Sequence, residues 1–398
     1  MRAMAVGCLA VLGALASGCG VAPRAALAPT RALPAAASLP ALALRRVWTA
    51  TLRRPSRVTV APDGSVAAGL ASGGGGAVPW ARSASGRPVP LTATGAGAVV
   101  ALAGGHVLLG PGVADRPGPM RLVTLDGRVL WEHAAVGPIF GASDARGNRV
   151  AVLDVGAARV VELRVGSQGA QPLAAPALAS LDGGTSIQFD AAGDALVQTP
   201  HRIALLSASG ATKWRLRLGV GMPSRVLVLD QGGGLATVAT RGGSANLYGF
   251  RLGGRQPGPR WSTALPAGGR PRLAAGPAAR VAVWGVGRTP AVAVYADRTG
   301  RQDWRDVLRP AGGSVATRVR RVAFTAGGAV VVAAEGCDAA GRPCILLLGP
   351  TGVPLGVRLL SPGATVHLAA DGRTALVVEP VGGGGARSRV VWYDLPSK

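Results

Sequence analysis

Several residue types are scarce in this chain, and each shortage removes a class of function. Lysine stands only at Lys213 and Lys398, asparagine only at Asn148 and Asn246, and glutamate only at Glu132, Glu162, Glu335 and Glu379. Cysteine and histidine occur four times each in 398 residues. Calcium needs several converging oxygen ligands, and so few scattered acids do not group. Cys337 and Cys344 have no histidine close by, so zinc spacing is absent. His106, His133, His201 and His367 fall in different parts of the chain. There is no GxSxG elbow, no HExxH pair and no GK[ST] phosphate loop. No catalytic residue, metal ligand or cofactor is therefore assigned. Long apolar helical patterns are also missing beyond the first twenty positions.

What remains is apolar and rich in turns. The chain is 48% hydrophobic and 16% charged, with 61 Gly and 30 Pro. That is too apolar for disorder and too full of helix breakers for long helices. Short Val/Leu/Ala runs between Gly-rich turns read as strands, so the fold class is all-β. The formal charge is +24, and nearly all of the 43 basic residues are Arg. They are spread along the chain, densest at "LRR" (52–54) and "RVRR" (318–321), whereas nucleic-acid binders gather their cations on one face. Nucleic acid is not expected. An acidic protein surface or an anionic envelope component suits the charge better.

The opening "MRAMAVGCLAVLGALASGCG" has one Arg, an apolar run from Ala3 to about Ala16, and small residues before Cys19. The run is shorter than the roughly 20 residues of a membrane span, so it reads as a secretory signal. "LASGC" resembles the lipobox of bacterial lipoproteins, which implies that Cys19 is lipidated. Plain signal cleavage with an incidental Cys19 is the alternative. The expected organisation is a signal peptide at 1–18, a lipidated Cys and Ala/Pro-rich tether at 19–43, and the folded body at 44–398. In an exported body, Cys337 and Cys344 flank a turn in "EGCDAAGRPCILLL" and are expected as a disulfide. A redox pair is the alternative, without CxxC spacing.

The body repeats itself. "LVTLDGRVLWEHA" (122–134) sets a tight Asp-Gly turn before a strand with Trp131, and "LLSASGATKWRLRL" and "VYADRTGRQDWRDVL" echo it. Trp48, Trp131 and Trp214 stand 83 residues apart, and the gaps to Trp261 and Trp304 are 47 and 43. Each long gap skips one repeat that keeps its turn without the indole. A period of 40-odd residues with several short strands is a β-propeller pattern. A second series of turns, at 61–65, 102–106, 144–148, 190–194, 230–234, 275–279, 325–329 and 369–373, gives eight blades, with seven as the alternative. The last repeat lacks a fourth strand, and 45–52 is a strand without a blade. Their pairing is expected to close the ring and remove the open sheet edge.

The unit "LxxxxGxxxW" over roughly 44–398 resembles the repeat of pyrroloquinoline-quinone-type eight-bladed propellers. This resemblance implies one of two roles. Quinoprotein dehydrogenases hold the quinone with calcium, but their adjacent Cys–Cys pair and Glu/Asn/Asp ligands are missing here. The lipoprotein of the outer-membrane barrel-assembly machine uses a similar ring as a scaffold. The expected function is thus a lipid-anchored, extracytoplasmic binding or scaffold module of the bacterial envelope, with an assembly role. The alternative is a propeller-class enzyme, lactonase-like or a divergent quinoprotein. Binding residues favour variable loops on a rigid frame. Second-to-third-strand loops read as the longer ones, so the rim bearing Arg318, Arg320, Arg321 and Arg342 is the expected docking surface.

Overall fold

The computed structural model describes residues 28–396, apart from 74–75, 92–96, 112–116, 137–138, 155–157, 175–185, 190–193, 200–201, 208, 210, 218–224, 230–233, 242–243, 252–258, 297–298, 309–316 and 383–385. The signal segment and Cys19 lie outside that range, as do His201 and the turn residues Asp190 and Asp230. No helix among the described residues is long and apolar enough to cross a membrane.

Strands dominate, for the reason visible in the sequence: β-branched and small apolar residues between glycine turns. The described strands form eight separate sheets, taken in chain order as small antiparallel meanders. Their first strands are Ser56–Val60, Ala98–Leu102, Ile139–Ser143, Ser186–Phe189, Arg225–Leu229, Gly269–Gly276, Arg318–Phe324 and Thr365–Leu368. Each packs against the first strand of the next sheet, and Thr365–Leu368 packs against Ser56–Val60. The eighth sheet contains Thr374–Val381 and Arg387–Asp394, and its fourth strand is Arg45–Arg53 from the start of the body. Among the described residues the first sheet has three strands, and Pro88 and Pro90 at the fourth position cannot donate to a ladder. Its fourth position is reduced to one bridge, Arg82 to Pro88.

The described residues form no single core. Each described apolar cluster is sandwiched between two consecutive sheets. Leu108, Met120 and Leu122 of the second sheet meet Val152 and Leu163 of the third. Trp392 and Leu376 of the eighth meet Val58 and Ala67 of the first. Middle strands are therefore covered on both faces, and Cys344–Leu348 is buried at every residue. This is why the strands read as unbroken apolar runs rather than alternating ones. A fully buried Leu or Val contributes roughly 1.5–3 kcal/mol, so each interface has ample apolar contact to hold two sheets together.

The turn-plus-Trp motif couples neighbours. A Cβ on Gly86, in the outer turn of the first sheet, would lie 2.8 Å from the Trp48 ring of the eighth. Gly300 of the sixth sheet stands likewise on Trp261 of the fifth, and Gly352 of the seventh on Trp304 of the sixth. The Trp304 indole N–H donates to Pro350 O at 3.0 Å. One sheet's indole thus lies on the glycine turn of the next, so turn and Trp recur together. The inner turns interlock too. Gly104 N donates to Asp63 Oδ2 (2.8 Å), Ala103 N to Ser143 Oγ (2.8 Å), and Asp371 N to Pro62 O (3.0 Å).

Two expectations differ from the structure. The Ala/Pro-rich stretch expected as a free tether through residue 43 is docked from Thr30 onward. Thr30–Ala32 adds a parallel strand to Gln302–Val307, Ala41 bridges Val357, and Leu33 and Leu42 are buried. Leu33 and Leu39 also line a cavity of about 20 Å³ with Cys337 and Cys344. The second-to-third-strand stretches at 71–80 and 379–388, in the position read from sequence as the longer loops, are in good part strand among the described residues. Gly73 pairs with Gly76, and Val381 pairs with Arg387. Glycine disfavours strands, but here the flanking ladders carry it into register.

Candidate functional site

The greatest concentration of unusual electrostatics lies where the sixth, seventh and eighth sheets present their first strands. Arg318, Arg320 and Arg321 all sit on Arg318–Phe324, and Arg342 lies in the loop between the second and third strands of the same sheet. The four predicted arginines are therefore brought to one sheet, but they are not equivalent. Arg320 pairs with Glu335 at 2.6 Å, which raises its guanidinium pKa. Arg342 donates its backbone N–H to Asp338 Oδ1 at 2.8 Å and its Nε to Asp338 Oδ2 at 2.6 Å. That backbone bond, with the side-chain bond and the charge of Arg342, holds the Asp338 carboxyl below its ordinary range. The loop is closed by the Cys337–Cys344 disulfide and by Thr317 Oγ1 donating to Gly336 O at 2.8 Å.

Arg318 is exposed at the strand's start, with no ion pair among the described residues. Arg321 is exposed too, but it is crowded by the adjoining first strands. Burial and the neighbouring charge of Arg272 both lower its pKa. Arg272 belongs to Gly269–Gly276, the first strand of the sixth sheet, and its Nη1 donates to Arg320 O at 3.3 Å. On the other side stands His367, on Thr365–Leu368. Burial, then the charge of Arg321, depresses its imidazole to about 4. Its Nδ1 is buried without a hydrogen-bond partner.

The backbone of these inner strands is irregular at the same end. Register shifts fall between Val319 and Arg321 and between Gly269 and Arg272. A third lies between Ser56 and Thr59 in the first sheet, where Arg57 takes φ +49° and donates to Gly97 O. Bulges re-aim side chains, and each of these strand ends carries an arginine. The sequence showed the "RVRR" run but not Arg272 or His367. Those join it only through sheet-to-sheet packing, for which spacing along the chain gives no signal.

Several other titratable groups are held in local contacts. Asp371 Oδ1 accepts from Arg373 N at 2.9 Å within its turn, and Asp126 accepts from the Thr124 hydroxyl in another. The His106 ring bonds Ala103 O at 3.0 Å, and burial lowers its pKa. His133 lies 3.9 Å from Asp154, beside Arg159. Among the described residues, no three of His, Cys, Asp or Glu come together as a metal-binding group.

No protein-family model and no curated protein sequence matches the chain. Solved structures do match. The Dos1 propeller aligns with a TM-score of 0.58 at 12% identity, covering 89% of this chain and 96% of that one. The C-terminal WD40 domain of Sif2 aligns at 0.55 and 11% identity, covering 89% and 99%. Sqt1 of Chaetomium thermophilum, solved bound to the N-terminus of ribosomal protein L10, aligns at 0.55 and 14%, covering 90% and 100%. The fold is a β-propeller. In a propeller the sheets are blades around a central channel, so Arg272, Arg321 and His367 stand on channel-side strands. Arg318 and the disulfide loop lie at the corresponding end of their blade.

Proposed function

We propose that this propeller is a lipid-anchored, extracytoplasmic scaffold that binds an acidic protein partner of the bacterial envelope and serves envelope assembly. In this reading, eight blades form one ring closed by Arg45–Arg53, the signal ends at residue 18, and Cys19 carries the lipid. The supporting observation is the surplus of cations at one blade end. Glu335 and Asp338 satisfy Arg320 and Arg342, while Arg318 and the exposed Arg270 of the adjacent blade keep their charge available. A propeller frame holding the N-terminus of another protein has a precedent in Sqt1 with L10. Electrostatic complementarity of this kind steers association and selects partners.

Photo-cross-linking in intact envelopes tests the reading. A photoreactive residue at Ala340, exposed in the disulfide loop, should trap a defined partner that one at Arg87 does not trap, and adding Arg270→Glu with Arg318→Glu to the Ala340 variant should abolish trapping. Equal trapping from both positions, or trapping unaffected by charge reversal, refutes the docking face. Cys19→Ser should release the chain from the membrane fraction. Continued membrane association of that variant refutes the anchor.

A further inference from the structure

We infer that residues 30–42, the docked Ala/Pro-rich segment, form a lid over the Cys337–Cys344 disulfide, and that a dithiol reductant reaches the two sulfurs only when this lid lifts. Lid and disulfide together make a redox-sensitive latch on the loop that carries Asp338 and Arg342. The latch stands whether or not a protein docks on that loop.

The sulfurs are closed off from solvent. Cys337 and Cys344 are 4% and 2% exposed, and Leu33, Pro34, Ala36 and Leu39 of the lid line the cavity that both cysteines share. That cavity, about 20 Å³, has room for about one water molecule and none for a thiol. Reduction needs more space. A reductant thiolate must attack one cysteine sulfur, forming a mixed disulfide and expelling the other cysteine as a thiolate. The second reductant thiolate then attacks the mixed disulfide, expels the first cysteine and closes the reductant's own disulfide. Two electrons pass to the protein, and two protons complete the cysteine thiols. Something must therefore move before the first step. On the blade side, Cys344–Leu348 is buried at every residue and paired with a strand on each edge, so moving it means opening the blade. The lid is held by far less. Its strand Thr30–Ala32 spans three residues, all exposed, and pairs with Gln302–Val307 along one edge. Leu33 N donates to Val307 O at 3.0 Å, Gln302 Nε2 to Ala28 O at 3.0 Å, and Leu42 N to Val357 O at 2.8 Å. Arg31 adds the lid's single described ion pair, to Asp306. Elements with few buried contacts open locally at a fraction of the global cost, so the lid is the part that moves. After reduction, residues 336–343 lose their covalent closure and keep hydrogen bonds such as Cys337 N to Arg342 O at 2.8 Å. The lid thus decides when the loop can be unlocked.

The rate of disulfide reduction tests the lid. The oxidised full-length protein is exposed to dithiothreitol under native conditions, and the freed thiols are counted by alkylation and mass. Leu33→Asp places a carboxylate that cannot remain in the apolar cavity, and it should speed reduction about tenfold or more. Arg45→Ala, which removes an ion pair to Asp394 on the eighth blade away from the lid, should be reduced at the native rate. In the native protein the rate should rise only weakly with urea below the unfolding transition, because lifting the lid exposes little surface. The inference fails if Leu33→Asp is reduced no faster than the native chain, or if Arg45→Ala speeds reduction as much as Leu33→Asp does. It fails equally if the native rate climbs with urea as steeply as global unfolding, since the whole chain must then open to expose the sulfurs. That last measurement needs no variant, so it decides the matter even where Leu33→Asp folds poorly.

Discussion

Gly147 shows why single residues carry so much in this fold. It holds φ +73°, and a Cβ there would lie 2.3 Å from Ala103 O in the neighbouring blade. Gly372 repeats the situation, 2.1 Å from Phe324 O. Blades crowd most where their inner turns meet, and only glycine gives both the backbone conformation and the room. His367 is the residue with the clearest solution signature. Its imidazole titrates near 4 in the folded chain, against about 6.5 when unfolded. A histidine with a depressed folded pKa stabilises the native state above pH 6.5, and that contribution is lost as pH falls toward 4. The shift corresponds to about 3 kcal/mol. Urea unfolding of the native protein should therefore lose stability between pH 6.5 and 4.5, and His367→Gln should lose distinctly less. His106, lowered by burial in the same direction, leaves a residual slope. Parallel pH profiles for the two proteins would contradict this account.

At the scale of elements, the segment from Thr30 to Leu42 is the unexpected one. It behaves as a strap over the outer edges of the sixth and seventh blades. Arg31 bonds Asp306 through Nε at 3.1 Å and Thr351 O through Nη2 at 3.0 Å. Asp306 is fully buried, and burial raises its pKa although Arg31 opposes the rise. Arg31→Ala removes that carboxylate's cation, at a cost of about 2 kcal/mol, and should release the strap to protease at residues 28–43. Adding Asp306→Asn should restore part of the loss. An unchanged cleavage rate in Arg31→Ala would show that backbone pairing alone holds the strap. The disulfide loop beneath it closes a short span, for which chain entropy contributes roughly 2.5 kcal/mol. That loop and the strap share the small cavity lined by Leu33, Leu39 and the two cysteines.

The whole molecule is organised by contacts between neighbours, and one of its most extensive described pairings joins the first and last parts of the chain. Arg45–Arg53 pairs along its length with Arg387–Asp394, and Trp48 stacks on Trp392 with ring centroids 5.5 Å apart. Trp48 also covers Gly86 of the first blade, so one strand links the eighth sheet to the first. Deleting residues 45–53 exposes a sheet edge and uncovers Trp392, which is 1% exposed in the intact chain. Thermal melting should fall by more than 10 °C, since a loss of several kcal/mol shifts the midpoint of a domain this large by roughly 2–4 °C per kcal/mol. A synthetic peptide of residues 45–53 added in excess should recover part of it. A deletion variant that melts like the native protein would show that this pairing contributes little to stability. The charge of +24 belongs to this scale too, because it governs encounter with anions rather than the fold.

The sequence alone determined the all-β class, the period and the positions of the described inner turns, because glycine, tight turns and doubly buried strands are local requirements written residue by residue. "APDGS" at 61–65 and "AADGR" at 369–373 fall between first and second strands in the structure as well. The sheet that joins Arg45–Arg53 to the last three strands follows from the same count. Tertiary structure decided everything that depends on one blade touching another. It docked the Ala/Pro-rich strap, whose three-residue strand has no pattern of its own and exists only against the edge of Gln302–Val307. It sorted the predicted arginines into paired and available ones, and it set His367 beside Arg321 across 46 residues of chain. Such juxtapositions are non-local, and composition and spacing along a chain hold no record of them.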